Sequence, residues 1–281
     1  MKIFRTLLVS SIIFLFTVFS AEAGTRVVVE VEVIEGDSIE KSIEIVTFNK
    51  DRFRIDFPGA GKEVTDQSPY IMTVNGGENW VIGDKSKDGF YCTEMKTEEF
   101  FRTLGDQATD AIEFFNVTAE SPTVKKVLEE PGPDIEGFKT THLQIETNAS
   151  AYARFLFIKF EYKVKIIDDL WYTTELDVHP VRKKWINALT QSGNSLIDKM
   201  FADFTAKLPG AVLRQESVID ITNVRKKETK TKKKRSVIKK VEELKASELD
   251  KIFTMPECKP MDDDEVQEKA KTLFSADKIM L

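Results

Sequence analysis

The sequence predicts an α+β protein, in which a large antiparallel β-sheet has two helical inserts covering one face. Three observations predict it. Short runs of alternating apolar and polar residues recur from Thr25 to Cys92 and again after Thr123, with turn chemistry between them. Two segments, one after Lys96 and one from Val181 to Leu208, switch to helical spacing. The order along the chain is strands, helix, strands, long helix and final strands. No repeat of fixed period and no Pro- or Ser-rich linker divides it.

The elements follow from local pattern. Val27, Val29, Val31 and Val33 share one face of the run Thr25 to Ile34, with Glu30 and Glu32 on the other. Glu35-Gly36-Asp37-Ser38 is turn chemistry. Ile39 to Phe48 alternates again, Ile39, Ile43 and Ile45 being opposed by Glu40, Ser42 and Glu44. The two runs read as a long hairpin with one wet face. Phe53, Ile55 and Phe57 then alternate with Arg52, Arg54 and Asp56. Tyr70 to Val74, Trp80 to Ile82 and Phe90 to Cys92 are short strands, punctuated by Gly76-Gly77 and Lys87-Asp88-Gly89.

Phe100, Phe101, Leu104, Ala108, Ile112 and Phe115 fall at helical spacing. Strands resume at Thr123 to Leu128 and, after Pro131-Gly132-Pro133, at Phe138 to Glu146. Phe155 to Ile167 reads as a strand, Asp168-Asp169 as a turn and Trp171 to Val178 as the return. From Val181 to Leu208 an apolar stripe marks the strongest helix. Gly193-Asn194 kinks or breaks it and Pro209-Gly210 ends it. Ala211 to Val224 and Ser236 to Leu244 are the last strand pair. Residues 262–281 are acidic, then weakly amphipathic, and read as a marginal helix or a disordered end.

Composition narrows the class. The chain has 281 residues, and 41 Lys+Arg against 47 Asp+Glu give a net charge of -6. A hydrophobic share of 41% suffices for a packed core and excludes a wholly disordered chain. Net acidity argues against a dedicated nucleic-acid binder. Lys2 and Arg5, the apolar run Leu7 to Phe19 and the small-x-small Ala21-Glu22-Ala23 read as a cleavable secretory signal over residues 1–23. The run falls short of the roughly 20 residues that a spanning helix needs. The expected location is therefore periplasmic, or extracellular. In that oxidising setting Cys92 and Cys258 could pair, or could remain separate thiols.

The order of elements resembles a known architecture. The strand series from Phe53 through Tyr70-Ile71-Met72 to Trp80 and Tyr91-Cys92 carries part of the resemblance. The strand Trp171 to Val178 running into the helix Val181 to Leu208 carries another part. Leu208-Pro209-Gly210, a returning strand and a closing Ile252-Phe253-Thr254-Met255-Pro256 carry the rest. Together these look like the LolA/LolB-like fold of periplasmic lipoprotein carriers, a half-open β-barrel with helices as a lid over its concave face. The detailed order looks closest to exported bacterial proteins of the DUF4412 type.

The resemblance implies one domain over residues 24–260, with the tail 261–281 outside it. It implies a non-catalytic carrier of an acyl chain, lipid or lipoprotein anchor, with no cofactor. Phe100, Phe101, Phe114, Phe115, Ile186, Leu189, Met200, Phe201 and Phe204 would line its cavity. The same aromatics also suit an ordinary filled core. The alternative is an envelope interaction module with such a core, docking through its basic segment.

Chemistry-bearing motifs are few. His179 beside Asp177 could act as a base or simply sit at a strand–helix junction, and His142 has no ligand-like neighbour in sequence. No G-x-S-x-G elbow, phosphate loop or EF-hand spacing occurs. The sharpest charge feature is the run from Arg225 to Lys240, which holds a single acid, Glu228. Arg225, Lys226, Lys227, Lys230, Lys232, Lys233, Lys234 and Arg235 could touch an anionic membrane surface. They could equally be a solvated hairpin tip whose lysines guard a sheet edge.

Overall fold

The computed structural model describes residues 24–58, 65, 68–86, 89–99, 102, 117–155, 158–175, 184, 187, 188, 190–255 and 257–260. The candidate signal, the tail 261–281, Phe100, Phe101, Phe114, Phe115, Ile186 and Leu189 lie outside the described residues.

The valines of β1 (Gly24–Glu35) are buried at alternate positions, and Gly36, at φ 61°, makes the turn into β2 (Ser38–Phe48). This hairpin is the expected one, with one difference in β2. Val29 pairs with Glu44 and Val27 with Val46, so Glu44, Val46 and Phe48 face the core. Ile43 and Ile45 face the other way, and Ile39 is exposed. The pairing register fixed by the turn, and not the hydrophobicity of the isoleucines, sets the face.

From β2 the sheet extends through β3 (Phe53–Asp56), β4 (Tyr70–Val74), β5 (Asn79–Ser86) and β6 (Gly89–Lys96). On the other side of β1 lies β12 (Glu228–Leu244), then β11 (Ala211–Asn223), β10 (Ile158–Thr173) and β9 (Thr141–Phe155). The far edge of β9 is lined by β7 (Val117–Ala119) and β8 (Thr123–Pro131), and β13 (Lys259–Pro260) lies parallel to β6. All other neighbours among the described strands are antiparallel. The fold is thus α+β, built on one open sheet of 13 strands, as the alternation predicts.

Two helices are complete among the described residues: α1 (Ser195–Thr205) and α2 (Ala246–Ile252). Helix α1 begins just after Gly193-Asn194, where the sequence predicts a break in the long helical stripe. Its Phe201 joins the main core with the β1 valines, Phe48, Phe53, Trp80 and Leu213. Its Phe204 packs on Leu143, Ile145, Leu170 and Val212. The helix therefore covers the core face of the sheet.

Asp168-Asp169 is not a turn. β10 runs straight through it, because Asp168 pairs with Ile145 and Ser217 and Asp169 with Gln144 and Glu216. The basic run is strand as well, β12 starting at Glu228 instead of Ser236.

The opposite face is covered at its β3–β6 end by the chain's C-terminal segment. Cys92 and Cys258 form a disulfide, with Cα atoms 5.7 Å apart. Phe253 and Cys258 pack with Tyr70, Met72 and Val81. The Tyr70 ring lies against Gly83, where a Cβ would come within 2.3 Å of Cε1. Leu249 sits over Gly24. Beneath the strap Arg54 donates from Nε and Nη2 to Asp56 Oδ1 (2.9 and 2.7 Å) and from Nη1 to the Ile252 carbonyl (2.6 Å). Its guanidinium lies 4.2 Å from the Tyr70 ring centroid. Burial raises the Asp56 carboxyl pKa, and the Arg54 charge opposes the rise.

The disulfide closes a sequence separation of 166 residues, so its loss frees the denatured chain by up to about 5 kcal/mol in the loop-entropy model. We expect Cys92→Ser/Cys258→Ser to lower the denaturant midpoint by an amount equivalent to about 2–5 kcal/mol. Hydrogen exchange in 245–260 should speed up. An unchanged midpoint would show that packing alone holds the strap.

Candidate functional site: a buried polar band

The core face is not uniformly apolar. Strand pairing lines up Val33, Lys234, Ser217 and Asp168 across β1, β12, β11 and β10. The adjacent row is Val31, Ser236, Gln215 and Leu170. Glu44 faces the same side from β2, opposite Val29. Lys234, Ser236, Gln215, Ser217, Asp168 and Glu44 are all buried. On one side of this band lie Val27, Val46, Phe48, Leu213 and Ile238, and on the other Ile166 and Ile219.

Part of the band is internally satisfied. Ser217 Oγ donates to Asp168 Oδ1 (2.5 Å), and Gln215 Nε2 reaches Asp168 Oδ1 (3.2 Å) and Ser217 Oγ (3.0 Å). These bonds fix the Gln215 amide, since the reverse orientation would set its oxygen against a carboxylate. The rest is not satisfied. Glu44 Oε1, Gln215 Oε1 and Ser236 Oγ are buried with no hydrogen-bond partner among the described residues. Burying such a group unpaired costs about 1–3 kcal/mol. Burial pushes the Glu44 carboxyl up to about 7, with the positive charge of Lys234 opposing the rise. At neutral pH, Glu44 is therefore divided between its charged and neutral forms.

The outer face behaves differently. His142 Nε2 lies 2.8 Å from Asp169 Oδ1, and the same oxygen accepts from Gln144 Nε2 at 2.9 Å. The His142 ring stacks on Trp171 at 4.6 Å, and the Arg214 guanidinium lies 4.2 Å from the Trp171 ring centroid. Ion pairs Lys41–Glu32, Arg235–Glu216, Lys165–Glu146 and Lys239–Glu30 continue this surface. It is a ladder of met charges. Among the described residues no group of three or more His, Cys, Asp and Glu is arranged to hold a metal ion.

The residues that the sequence pattern singles out thus separate. Phe201 and Phe204 are buried against the sheet, and Met200 packs partly buried on the same core. Arg225, Lys226 and Lys227 form the exposed turn of the β11–β12 hairpin, and Lys230, Lys233 and Arg235 are exposed beyond it. Lys232 is half-buried. Lys234, at 3% exposure, is not a surface contact, because its strand parity turns it into the core face. Nor do these lysines guard an edge, since β12 lies between β1 and β11. Sequence pattern alone does not reveal the band. By alternation Glu44 belongs to the wet face, and by composition Asp168 belongs to a turn. The one signal left is an unbroken polar stretch at a strand position.

No family model matches the chain, so the expected DUF4412 kinship has no match. No curated protein matches it either. Solved structures show similarity at low identity. PNGF-II is 11% identical with a TM-score of 0.36, over 89% of this chain and 33% of that one, so the chain spans about a third of that protein. A LolA superfamily protein from Nitrosomonas europaea is 10% identical with a TM-score of 0.28, over 85% of this chain and 92% of the other. A DUF1329 family protein from Desulfovibrio piger is 8% identical with a TM-score of 0.25, over 85% and 89%. Scores this low carry no conclusion about family or activity.

The Glu44 carboxyl gives a pH prediction with a definite sign. Its folded value of about 7 exceeds the ordinary 4.5, so the folded chain holds the proton more tightly. Stability from this group is complete below pH 4.5 and falls as pH rises to 7 and above, by about 3 kcal/mol in total. Urea titrations between pH 4.5 and 8 should show this loss in the wild type, relative to a Glu44→Gln variant that lacks it. Parallel pH profiles for the two proteins would mean that Glu44 titrates as it does in an unfolded chain.

Proposed function

We propose that this protein is a non-catalytic carrier, exported from the cytoplasm. In this reading it binds a hydrophobic ligand of the acyl-chain, lipid or lipoprotein-anchor class between the core face of the sheet and its helices. The observation that carries the reading is the polar band. Glu44, Gln215 and Ser236 each keep a buried polar atom without a partner among the described residues, between two apolar zones of the same face. A core built only for stability would replace them with apolar side chains or pair them fully. A face that is apolar, then polar, then apolar matches a molecule that is itself amphipathic.

The exposed turn 225–227 and Lys230 support a secondary element of the reading, transient contact with anionic lipid head groups where such a ligand is collected or delivered. Among the described residues no helix is long and apolar enough to cross a membrane.

Native mass spectrometry of protein purified from its own source is the direct test. The carrier reading expects an additional lipid-sized mass that leaves on denaturation in organic solvent. A bare mass from several independent preparations, in which added acyl lipids also fail to bind, would overturn it.

A further inference from the structure

The carrier reading leaves the ligand's polar end unspecified. The band constrains that end, in an inference that rests on the carrier reading itself. The Lys234 ammonium has the Glu44 carboxyl as its electrostatic partner, and of the band's three other atoms without a hydrogen-bond partner two are acceptors: Gln215 Oε1, whose amide nitrogen is committed to Asp168 and Ser217, and Glu44 Oε1 in its charged form. The third, Ser236 Oγ, can donate or accept. The ionisable groups on this part of the face are two carboxyl groups, Glu44 and Asp168, against one ammonium, Lys234.

A carboxylate or phosphate head group fits poorly here. It brings only acceptors to Gln215 Oε1, and it adds negative charge where acidic groups already outnumber basic ones in a buried setting. An ammonium head group meets the Lys234 charge on the same face. A hydroxyl suits every partner. It donates to Gln215 Oε1, donates or accepts at Ser236, and donates to Glu44 or accepts from it as that carboxyl changes form near neutrality. The two polar rows lie two residues apart along each strand, about 6.8 Å, and so also ask for more than one hydroxyl.

We propose that the buried band formed by Glu44, Gln215, Ser236 and Lys234 recognises an uncharged, hydroxyl-bearing head group of the glycerol or sugar type on an acyl ligand. The site selects against free fatty-acid carboxylates and phosphates. Selection works through what the buried acceptors lack, since a site with unmet acceptors rejects ligands that bring no donors.

The test uses three probes that share one eighteen-carbon monounsaturated chain: 1-monooleoylglycerol, oleate and oleyl phosphate. Each is titrated below its micelle concentration into the delipidated full chain at pH 7 and read by calorimetry and native mass spectrometry. We expect monooleoylglycerol to bind at least tenfold more tightly than either anionic probe. Gln215→Leu, which removes the acceptor, should bring that ratio close to one while retaining oleate binding. Oleate or oleyl phosphate binding as tightly as monooleoylglycerol to the wild type would overturn the head-group assignment and leave the carrier reading standing. Failure of all three probes to bind would overturn both. The wild-type comparison decides the matter even if Gln215→Leu does not fold.

Discussion

The pairing of β1 with β12 is the contact on which the rest of this structure depends. It runs from Gly24–Leu244 to Glu35–Lys232 and joins the first described strand to the last long one. One half of the sheet, β2 to β6, hangs from β1, and the other, β11 to β9, hangs from β12. Such a contact comes late in the loop-closure sense, because the intervening chain must be ordered before it is rewarded. It also carries one irregularity. Val28 pairs with Lys240 and Val29 with Ile238, so Lys239 is the extra residue of a β-bulge. The bulge reverses the alternation of β12. Val241 and Ile238 both face the core although they stand three positions apart, an odd spacing. Lys239 and Lys240 turn outward, where they meet Glu30 and Glu242. Without the bulge, the parity set by Val241 would bury Lys233, Arg235 and Lys239 and expose Lys234. One inserted residue thus selects which cation enters the core face.

Two sets of buried charge can be compared within the same sheet. Arg54 and Asp56 lie beneath the C-terminal strap with three hydrogen bonds from the guanidinium, an aromatic face and a closed covering. That arrangement meets its desolvation cost through geometry and needs nothing from outside the chain. The band on the core face has the same burial and weaker satisfaction. Its Asp168–Ser217–Gln215 part is closed, yet Glu44, Gln215 and Ser236 each retain an unmet atom. The contrast separates polarity that fastens a segment from polarity that, in the proposed carrier reading, is offered to a ligand. The outer face belongs with the first kind, since His142, Trp171, Arg214 and Asp169 meet one another.

Much of the architecture was legible because alternation and turn chemistry are local signals. The valines of β1, the turn at Gly36, the short strands through Trp80 and Cys92, and the helix break at Gly193 all stand where their residues put them. What misled was also local. Ile43 and Ile45 look like a core face, yet the register with β1 turns them out and Glu44 in. Asp168-Asp169 has turn composition, but one aspartate is bonded by Ser217 and Gln215 and the other by His142 and Gln144. All four partners lie on neighbouring strands at least 25 residues away in sequence. The basic run is readable as charge and unreadable as faces, because Lys232 to Arg235 contains no apolar residue to set the parity. The candidate site was thus hidden for a definite reason. Its members are polar residues whose inward direction is decided by cross-strand pairing, and pairing is not written in any one segment.

The β11–β12 hairpin brings the two distinctive charge features onto one rigid element. Gln215, Ser217, Lys234 and Ser236 lie in its middle, facing the core, and Arg225, Lys226 and Lys227 form its exposed end. From Lys227 to Lys234 is seven residues of extended chain, about 23 Å. That spacing has the scale of an acyl chain laid along a strand. In the proposed reading, a ligand held with its head group at the band can direct its tail either toward the basic end or toward the apolar zone of Val27, Phe48 and Leu213. The second direction offers a larger apolar surface, continuous with Phe201 of α1. The first leads toward exposed cations that a hydrocarbon gains nothing by meeting. Under that proposal, apolar contact and head-group chemistry agree on one polarity for the bound molecule, with hydroxyls at the band and chain beneath α1. In the same proposal the exposed basic end of the hairpin faces an anionic surface.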